Sequence, residues 1–431
     1  MLEKILRGIE WCIPKPIYGF FQPYYHWLLA YINASFFGFP SKKIKIIAVT
    51  GTKGKSSTAE IVNAILEEAG YKTALAGTIR FKIGEHSEPN LRKMTIPGRS
   101  FVQKFLRDAV NAKCDWVVLE LTSQAVLQSR HLYVDLDTLI FTNLAPEHIE
   151  SHGSYENYRD AKVEIAKRLE TGKESPTLIY NSDDEASDFF IRATPNALHL
   201  PYELDDARPF KLSSGDKTGI QMRFDTATIF SHLEGEFNIY NILAAATFAK
   251  SIGIDTAVIK SAIEKLEEIP GRAQKIHAKT HIKGRGEHNF DVYVDYAHTV
   301  ESLQALYKTF EDKRSICILG NTGGGRDTWK RPAMGKVADQ YCSHIILTNE
   351  DPYDEDPEKI INEMKAGIKN KPCEIIMDRR KAIAHALSKA ENGNVVLITG
   401  KGTDPFIMGP KNSKESWSDK KVVEEELKKL V

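Results

Sequence analysis

"AVTGTKGKSSTAEIV", residues 48–62, is the stretch on which the fold turns. The run KIKIIAVT at residues 43–50 is apolar and β-branched, which predicts a buried strand. Gly51, Thr52, Lys53, Gly54, Lys55, Ser56 and Ser57 follow as a glycine loop, and STAEIVNAILEEAG is an amphipathic helix closed by Gly70. Strand, glycine loop and helix in that order form a phosphate loop, with the first glycine one residue nearer than in the commonest spacing. Backbone N–H groups and the helix N-terminus hold phosphate oxygens, Lys55 reaches the β and γ phosphates, and Ser56 offers a hydroxyl to Mg²⁺. The competing meaning, an ordinary glycine turn, does not explain Lys55-Ser56 at the head of a helix.

Outward from this loop, composition sets limits. At 431 residues the chain has room for two or three domains. Lys plus Arg and Asp plus Glu both number 58, so there is no broad basic field for a nucleic-acid backbone, and any anion site must be local. Cys12, Cys114, Cys317, Cys342 and Cys373 include no Cys-x-x-Cys pair and are expected to be reduced, in a cytoplasmic protein. Residues 17–39, IYGFFQPYYHWLLAYINASFFGF, are rich in aromatics. Pro14, Pro16, Pro23, His26 and Asn33 interrupt the region before an apolar run of about 20 residues forms. The expectation is no membrane span, but a helix that packs its aromatic face on the next domain or on a partner, a second copy included.

Further along, β-branched runs alternate with helical patterns, the signature of parallel α/β architecture. DWVVLELT and DTLIFTNL read as buried strands and GEFNIYNILAAATFAKSIG as a helix. A new unit is expected near Pro270-Gly271 in EKLEEIPGRAQKI. FDVYVDYAH, RSICILGNTGGG, SHIILTNED, EIIMD and NVVLITGKGTD are then five strand-like runs, interleaved with helices such as ESLQALYKTFED and RRKAIAHALSKA. These predict a doubly wound domain with ligand at its strand ends. The tail KKVVEEELKKLV reads as a solvated last helix.

Two blocks bear on how the phosphate is used. VVLELTSQ ends a strand on Glu120, whose carboxylate faces Mg²⁺ directly or through water. FTNLAPEHIESHGSYENYRDAK places Glu147, His148, Tyr158 and Lys162 in a loop leading to a helix. A lone His or Lys there is ordinarily a surface residue, but the combination suggests more.

These blocks, in this order, resemble the Mur ligase family of ATP-dependent amide ligases. GTKGKSST is similar to its phosphate loop, ELTSQ to its strand-end acidic motif, and TNLAPEHIESHGSYENYRDAK to its histidine and modified-lysine block. GEFNIYNILAA resembles its adenine-contacting helix, IPGRAQ its interdomain arginine, and VDYAHT its ribose-contacting aspartate loop. Within the family, VDYAHT, GGGRDTWKRPAMG, DPYDEDP, DRRKAI and GKGTD are most similar to blocks of the UDP-N-acetylmuramyl-tripeptide synthetases. The resemblance spans about residues 43–408.

It implies an N-terminal helical segment (1–42), a central P-loop ATP-binding domain with a parallel-rich sheet (43–269) and a Rossmann-like acceptor-binding domain (270–431). It implies ATP, two Mg²⁺ ions, and a carbamylated Lys162 that turns a cation into a carboxylate-like support for the second ion. Lys55 and Ser56 match phosphate and first-metal positions, and Glu120 and His148 the metal-site acid and histidine. Asn238 and Asn241 match adenine-side positions, Arg272 a phosphate contact across the domain boundary, and Asp295 the ribose. Arg326, Lys330 and Arg331 form a basic loop from which the family brings a cation toward the γ-phosphate. MTIPG resembles the loop that contacts the nucleotide-sugar peptide, which makes Thr95, with Ser123 and Arg130, substrate candidates.

Two departures matter. About forty residues precede the first strand and read as helix, where the family has a uridine-nucleotide domain. The aromatic helix replaces that domain, a partner supplies it, or the donor differs. Where diaminopimelate-adding enzymes carry Asp-Asn-Pro-Arg, this chain has Glu350-Asp351-Pro352-Tyr353, without the arginine fork for a distal carboxylate. GKGTD keeps an acid at Asp404. Glu350, Asp351 and Asp404 suit an amine-bearing acceptor such as lysine, ornithine or another diamino acid. The function implied is extension of UDP-MurNAc-L-alanyl-D-glutamate by a diamino acid through an acyl phosphate, in peptidoglycan precursor synthesis. The alternatives are a ligase of a poly-amino-acid, folate-like or pseudopeptide carboxylate, a non-catalytic ATP-binding subunit, and a P-loop kinase or GTPase.

Overall fold

The computed structural model describes residues 15–147, 149–213, 218–282 and 286–430. Helix α1, Lys15–Phe36, leads into β1, Lys45–Thr50, the strand expected before the glycine loop. Then follow α2 (Lys55–Glu68), β2 (Thr73–Ala76), β3 (Arg80–Ile83), β4 (His86–Pro89), α3 (Arg99–Asn111), β5 (Trp116–Glu120), β6 (Thr138–Phe141), α4 (Tyr155–Glu170), β7 (Thr177–Asn181) and β8 (Leu198–Tyr202). Eight strands form one sheet in the order β4-β3-β2-β5-β1-β6-β7-β8, parallel except for β3 and β4 at one edge. A small antiparallel sheet, β9 (Lys211–Ser213), β10 (Gly219–Phe224) and β11 (Ala227–Ser231), precedes α5 (Phe237–Ser251) and α6 (Thr256–Lys265).

The strand period of two explains why both faces of the large sheet are covered. Ile47, Val49, Val118, Ile140 and Ile179 pack with α2 and α5, while Ile46, Ala48, Val117, Leu119 and Phe141 pack with α3 and α4. The strand tips Thr50, Glu120 and Phe141 therefore lie side by side, and the loops that leave them converge.

The second large sheet comprises β12 (Gln274–Ile282), β13 (Gly286–Val294), β14 (Ser315–Leu319), β15 (His344–Leu347), β16 (Cys373–Ile375) and β17 (Val395–Ile398), in the order β12-β13-β17-β14-β15-β16. All neighbours are parallel except the β12–β13 hairpin, so the doubly wound arrangement is present with one added edge strand. Helices α7 (Val300–Thr309) and α8 (Lys330–Tyr341) cover one face, and α9 (Arg379–Lys389) and α10 (Asp419–Leu430) the other.

Two expectations are corrected and a third is narrowed. The last helix is not merely solvated: Val422, Val423 and Leu427 of α10 enter the core, and buried Asp419 pairs with buried Arg379 at 2.7 Å. Its charged residues mask a valine-leucine stripe at helical spacing. Cys317 and Cys342 are joined as a disulfide, because β14 and the end of α8 bring their Cα atoms to 6.1 Å across 25 residues, a pairing no local motif announces. Cys114 and Cys373 are free, and Cys12 lies outside the described residues. Finally, on the side of the next domain α1 packs on α3 mainly through the small residues Ala30 and Ala34 and the Asn33–Ser100 hydrogen bond; of its aromatic face Tyr31 meets Tyr133 edge-on at 5.7 Å, and the other expected position of that face, on a partner, is left as it was. Among the described residues no helix is long and apolar enough to cross a membrane.

Candidate active site

The glycine loop is stapled to the end of β6. Thr52 N–H donates to the Asn143 carbonyl and Lys53 N–H to Asn143 Oδ1, both at 2.8 Å, while Thr142 Oγ1 donates to the Lys53 carbonyl at 2.6 Å. Gly54 begins α2 at φ 82°, a left-handed conformation, and a side chain there would strike Asn241. Lys55 Nζ donates to the Gly51 and Thr52 carbonyls at 3.0 and 2.9 Å, and burial lowers its pKa. Ser57 is buried in the first turn of α2.

Glu120, at the tip of β5, accepts from Ser56 Oγ at 3.0 Å, Thr78 N–H at 2.8 Å and Thr78 Oγ1 at 3.0 Å. Arg272 Nη2, arriving from beyond the central sheet, donates to the same Ser56 Oγ at 3.1 Å. A carboxylate and a hydroxyl in contact beside a phosphate loop form the oxygen pair that Mg²⁺ accepts when phosphates and water complete its shell. Among the described residues no group of three or more His, Cys, Asp or Glu could hold a metal alone.

Lys162, on α4, points into the loop and donates to the Gly51 carbonyl at 2.7 Å. Burial, reinforced by the Lys55 ammonium, holds its pKa well below the ordinary lysine value, which makes the neutral amine accessible. Tyr158 and Thr52 share a hydroxyl–hydroxyl bond of 3.0 Å, and Glu147 pairs with Lys53 at 3.1 Å and His298 at 3.3 Å. His148 lies outside the described residues.

On the nucleotide side, Asn238 Nδ2 donates to the Glu234 carbonyl at 2.7 Å, and Asn241 links Asn238 to Thr58 of α2. Asp295, at the end of β13, is buried and accepts from Ala273 N–H and Ala297 N–H, both at 2.6 Å, with burial raising its pKa. Arg272 lies over the Tyr296 ring at 4.7 Å, so Asp295 and Arg272 share one turn cluster next to Ser56.

The substrate candidates meet in a cavity of about 270 Å³, where Thr95, Ser123 and Arg130 line the same wall system as Lys55, Tyr158 and Lys162. Thr95 bonds Thr78 at 2.9 Å, which connects this loop to Glu120, and Ser123 bonds His152 at 3.1 Å. Arg130 is held by Ile96 and Gln128.

Glu350, Asp351 and Asp404 gather at the end of β15, yet the charges of Asp351 and Asp404 are answered within the chain. Lys401 Nζ donates to Asp351 at 2.9 Å and to Asp404 at 3.0 Å, and Lys93, from the loop that carries Thr95, donates to Asp351 at 2.5 Å and lies 3.1 Å from Asp404. Burial alone would raise the Asp351 carboxyl, but the two ammonium groups outweigh it and hold it below the ordinary value. Burial, with Asp351 beside it, raises Glu350. Lys330 is buried at the head of α8, 4.0 Å from Asp327, and Arg326 lies over the Tyr353 ring at 5.0 Å. Arg331 is no phosphate cation: its side chain is wholly buried and tied to Glu355 and Glu363, both at 2.7 Å.

Two family models match the chain in succession, the Mur ligase middle domain over residues 49–249 and the Mur ligase glutamate ligase domain over residues 280–402. The chain belongs to the Mur ligase family. This Mur ligase is 35% identical over 419 residues to the UDP-N-acetylmuramoyl-L-alanyl-D-glutamate–2,6-diaminopimelate ligase of Syntrophomonas wolfei, covering 93% of this chain and 81% of that one. It is 34% identical to the ligase of the same name from Geobacillus kaustophilus, covering 88% and 78%. A solved structure of a ligase of that name superposes with a TM-score of 0.59 at 27% identity, over 90% of this chain and 78% of that one. A Mycobacterium tuberculosis folylpolyglutamate synthase, at 14% identity and a TM-score of 0.67 over 87% and 92%, shares the fold.

Local motifs could not announce Thr78 or Lys93, whose partners are distant in sequence, and Asn143 lies inside the quoted TNLAPEH block without a signal for its role in stapling the glycine loop. Lys401 and Arg379 do lie inside the quoted GKGTD and DRRKAI blocks, where their role as buried counter-charges had no signal of its own.

Proposed function

We propose that this Mur ligase extends UDP-MurNAc-L-alanyl-D-glutamate by a diamino acid, with ATP and Mg²⁺, in cytoplasmic peptidoglycan precursor synthesis. The observation that carries the reading is the common cavity: the phosphate-loop Lys55 and the donor-side Thr95, Ser123 and Arg130 line one half-open cavity. A carboxylate held there by Arg130 and the two hydroxyls lies beside the γ-phosphate that Lys55 and the α2 N-terminus hold. A donor oxygen bonds to the γ-phosphorus as the bond to ADP breaks. The acceptor nitrogen then bonds to the acyl carbon, phosphate leaves and the amine loses a proton.

Ser56 and Glu120 would hold Mg²⁺, which when bound would supply neutralisation of the phosphate charge. Arg272 delivers a cation to the same hydroxyl from the second sheet's side and couples approach of the two halves to assembly of the site. Lys330 is the second cation from that side. Lys162 with a lowered pKa is a nucleophile for CO₂: its nitrogen bonds carbon and sheds a proton, leaving a carbamate that, with His148, supports a second Mg²⁺.

The acceptor is a lysine-like diamino acid. Tyr353 stands where a distal carboxylate would need an arginine fork, and Asp351 and Asp404 already hold one ammonium group, that of Lys93, from the donor side. The experiment is ADP release measured with the UDP-MurNAc-dipeptide and single amino acids. Release that requires both components supports the reading; no release with any of diaminopimelate, lysine or ornithine refutes it.

A further inference from the structure

Among the described side chains of α1, residues 24–36, the exposed positions are Tyr24, Trp27, Leu28, Tyr31, Ile32, Ser35 and Phe36, a spacing of three and four that draws one continuous stripe. Six of the seven are large and apolar, and their exposure runs from 44% at Tyr31 to 82% at Phe36. The face turned inward is the less apolar one: Ala30 and Ala34 are buried, Asn33 bonds Ser100 at 2.6 Å, and His26 meets Arg99 at 2.6 Å. A surface helix of a water-soluble domain has the opposite polarity, so this stripe is built for an apolar surface outside the chain.

We infer that α1 docks this molecule on a lipid bilayer containing anionic lipid. Residues 16–41 carry no Asp, Glu, Lys or Arg, so nothing charged is buried when the helix sinks into the headgroup boundary. Exposed Lys42 and Lys43 follow immediately, and Arg107 of α3 binds the Phe37 and Gly38 carbonyls at the same end, giving a cationic rim for anionic headgroups. The nearby acid Asp108 is already paired with Lys104 at 2.5 Å. Trp27 and Tyr31 stack with centroids 6.0 Å apart, and both are amphipathic rings of the kind that settle at a membrane interface.

Docking also positions the site. Arg99, in contact with His26, donates to the Gln128 carbonyl at 2.8 Å, and Gln128 lines the donor cavity, so that cavity lies alongside the docked surface. The inference stands whether or not the ligase reading holds.

The test is flotation of the full chain with phosphatidylcholine vesicles and with vesicles of phosphatidylcholine mixed with phosphatidylglycerol. Expected are co-flotation with the mixed vesicles, at least about tenfold loss of it in the paired variant Trp27→Glu and Ile32→Glu, and about thirtyfold weakening in Lys42→Gln with Lys43→Gln, since each lysine near an anionic surface is worth about 1 kcal/mol. Circular dichroism of each variant matching the parent keeps the comparison valid. Absence of flotation by the parent overturns the inference. So does equal flotation of the Glu variant, or a lipid-free dimer that the Glu pair dissolves.

Discussion

Glu120→Gln separates structure from chemistry at the centre of the site. The carboxylate accepts three hydrogen bonds, from Ser56 Oγ, Thr78 N–H and Thr78 Oγ1. The amide keeps its oxygen toward the Thr78 N–H, and the two hydroxyls rotate to accept from its NH₂, so the stability cost is that of weakened hydrogen bonds, about 1 kcal/mol. The lost charge matters far more to a metal. Two unit charges about 4 Å apart at an effective dielectric near 20 are worth about 4 kcal/mol, a lower bound for a divalent ion, and at about 1.4 kcal/mol per decade that is at least roughly three orders of magnitude. The expected result, from ADP release titrated against Mg²⁺ alongside thermal unfolding, is a melting temperature within a few degrees of the parent and at least roughly a thousandfold loss of activity, partly recovered at high Mg²⁺. Full activity at ordinary Mg²⁺ would refute the placement of the metal at Ser56 and Glu120. A variant that fails to fold would refute the argument about its hydrogen bonds.

The remaining predictions concern other parts of the molecule. Lys162→Ala loses activity and regains a measurable part with added formate or acetate, which replace the carbamate; full activity without additive contradicts the proposed modification. In CO₂-free buffer Lys162→Met is more stable than the parent. The folded amine titrates below the ordinary 10.5, so the unfolded chain binds the extra proton between those values and parental stability rises with pH there; the Met variant lacks this slope and gains most at its acid end, as urea unfolding at several pH values reports. Asp419→Ala leaves Arg379 buried without its partner and costs about 3–5 kcal/mol in denaturant unfolding, whereas a loss below about 1 kcal/mol contradicts the packing of α10. Tyr353→Arg restores a fork for a distal carboxylate and raises kcat/KM for diaminopimelate relative to lysine by about ten- to a hundredfold, the worth of about 1.5–3 kcal/mol in charged hydrogen bonds; an unchanged ratio refutes the role given to this position.

What was legible in the sequence was whatever is encoded locally. The glycine loop declares itself because strand, turn and helix are contiguous, and β14, β15 and β17 are visible because strands buried on both faces are continuous apolar runs. β12 escaped notice: QKIHAKTHI mixes lysines and histidines with apolar residues, and it is a strand because the β12–β13 hairpin aligns it. The same divide runs through the site. Lys55, Ser56, Glu120 and Lys162 sit in motifs, whereas Thr78 reaches Glu120 across 42 residues and Lys93 reaches Asp351 across 258. For α1 the sequence named the aromatic side but not whether the next domain or a partner covers it, since hydrophobic spacing identifies the apolar side of a helix and not what packs on it.

The central claim is that the phosphate held by Lys55 activates a carboxylate. The most direct measurement uses UDP-MurNAc-L-alanyl-D-glutamate labelled with ¹⁸O in its glutamate side-chain carboxylate, incubated with ATP, Mg²⁺ and a diamino acid, followed by mass spectrometry of the released phosphate. An acyl phosphate passes one donor oxygen to phosphorus, so the account predicts phosphate carrying one ¹⁸O for each amide formed. Unlabelled phosphate released alongside amide product would contradict it.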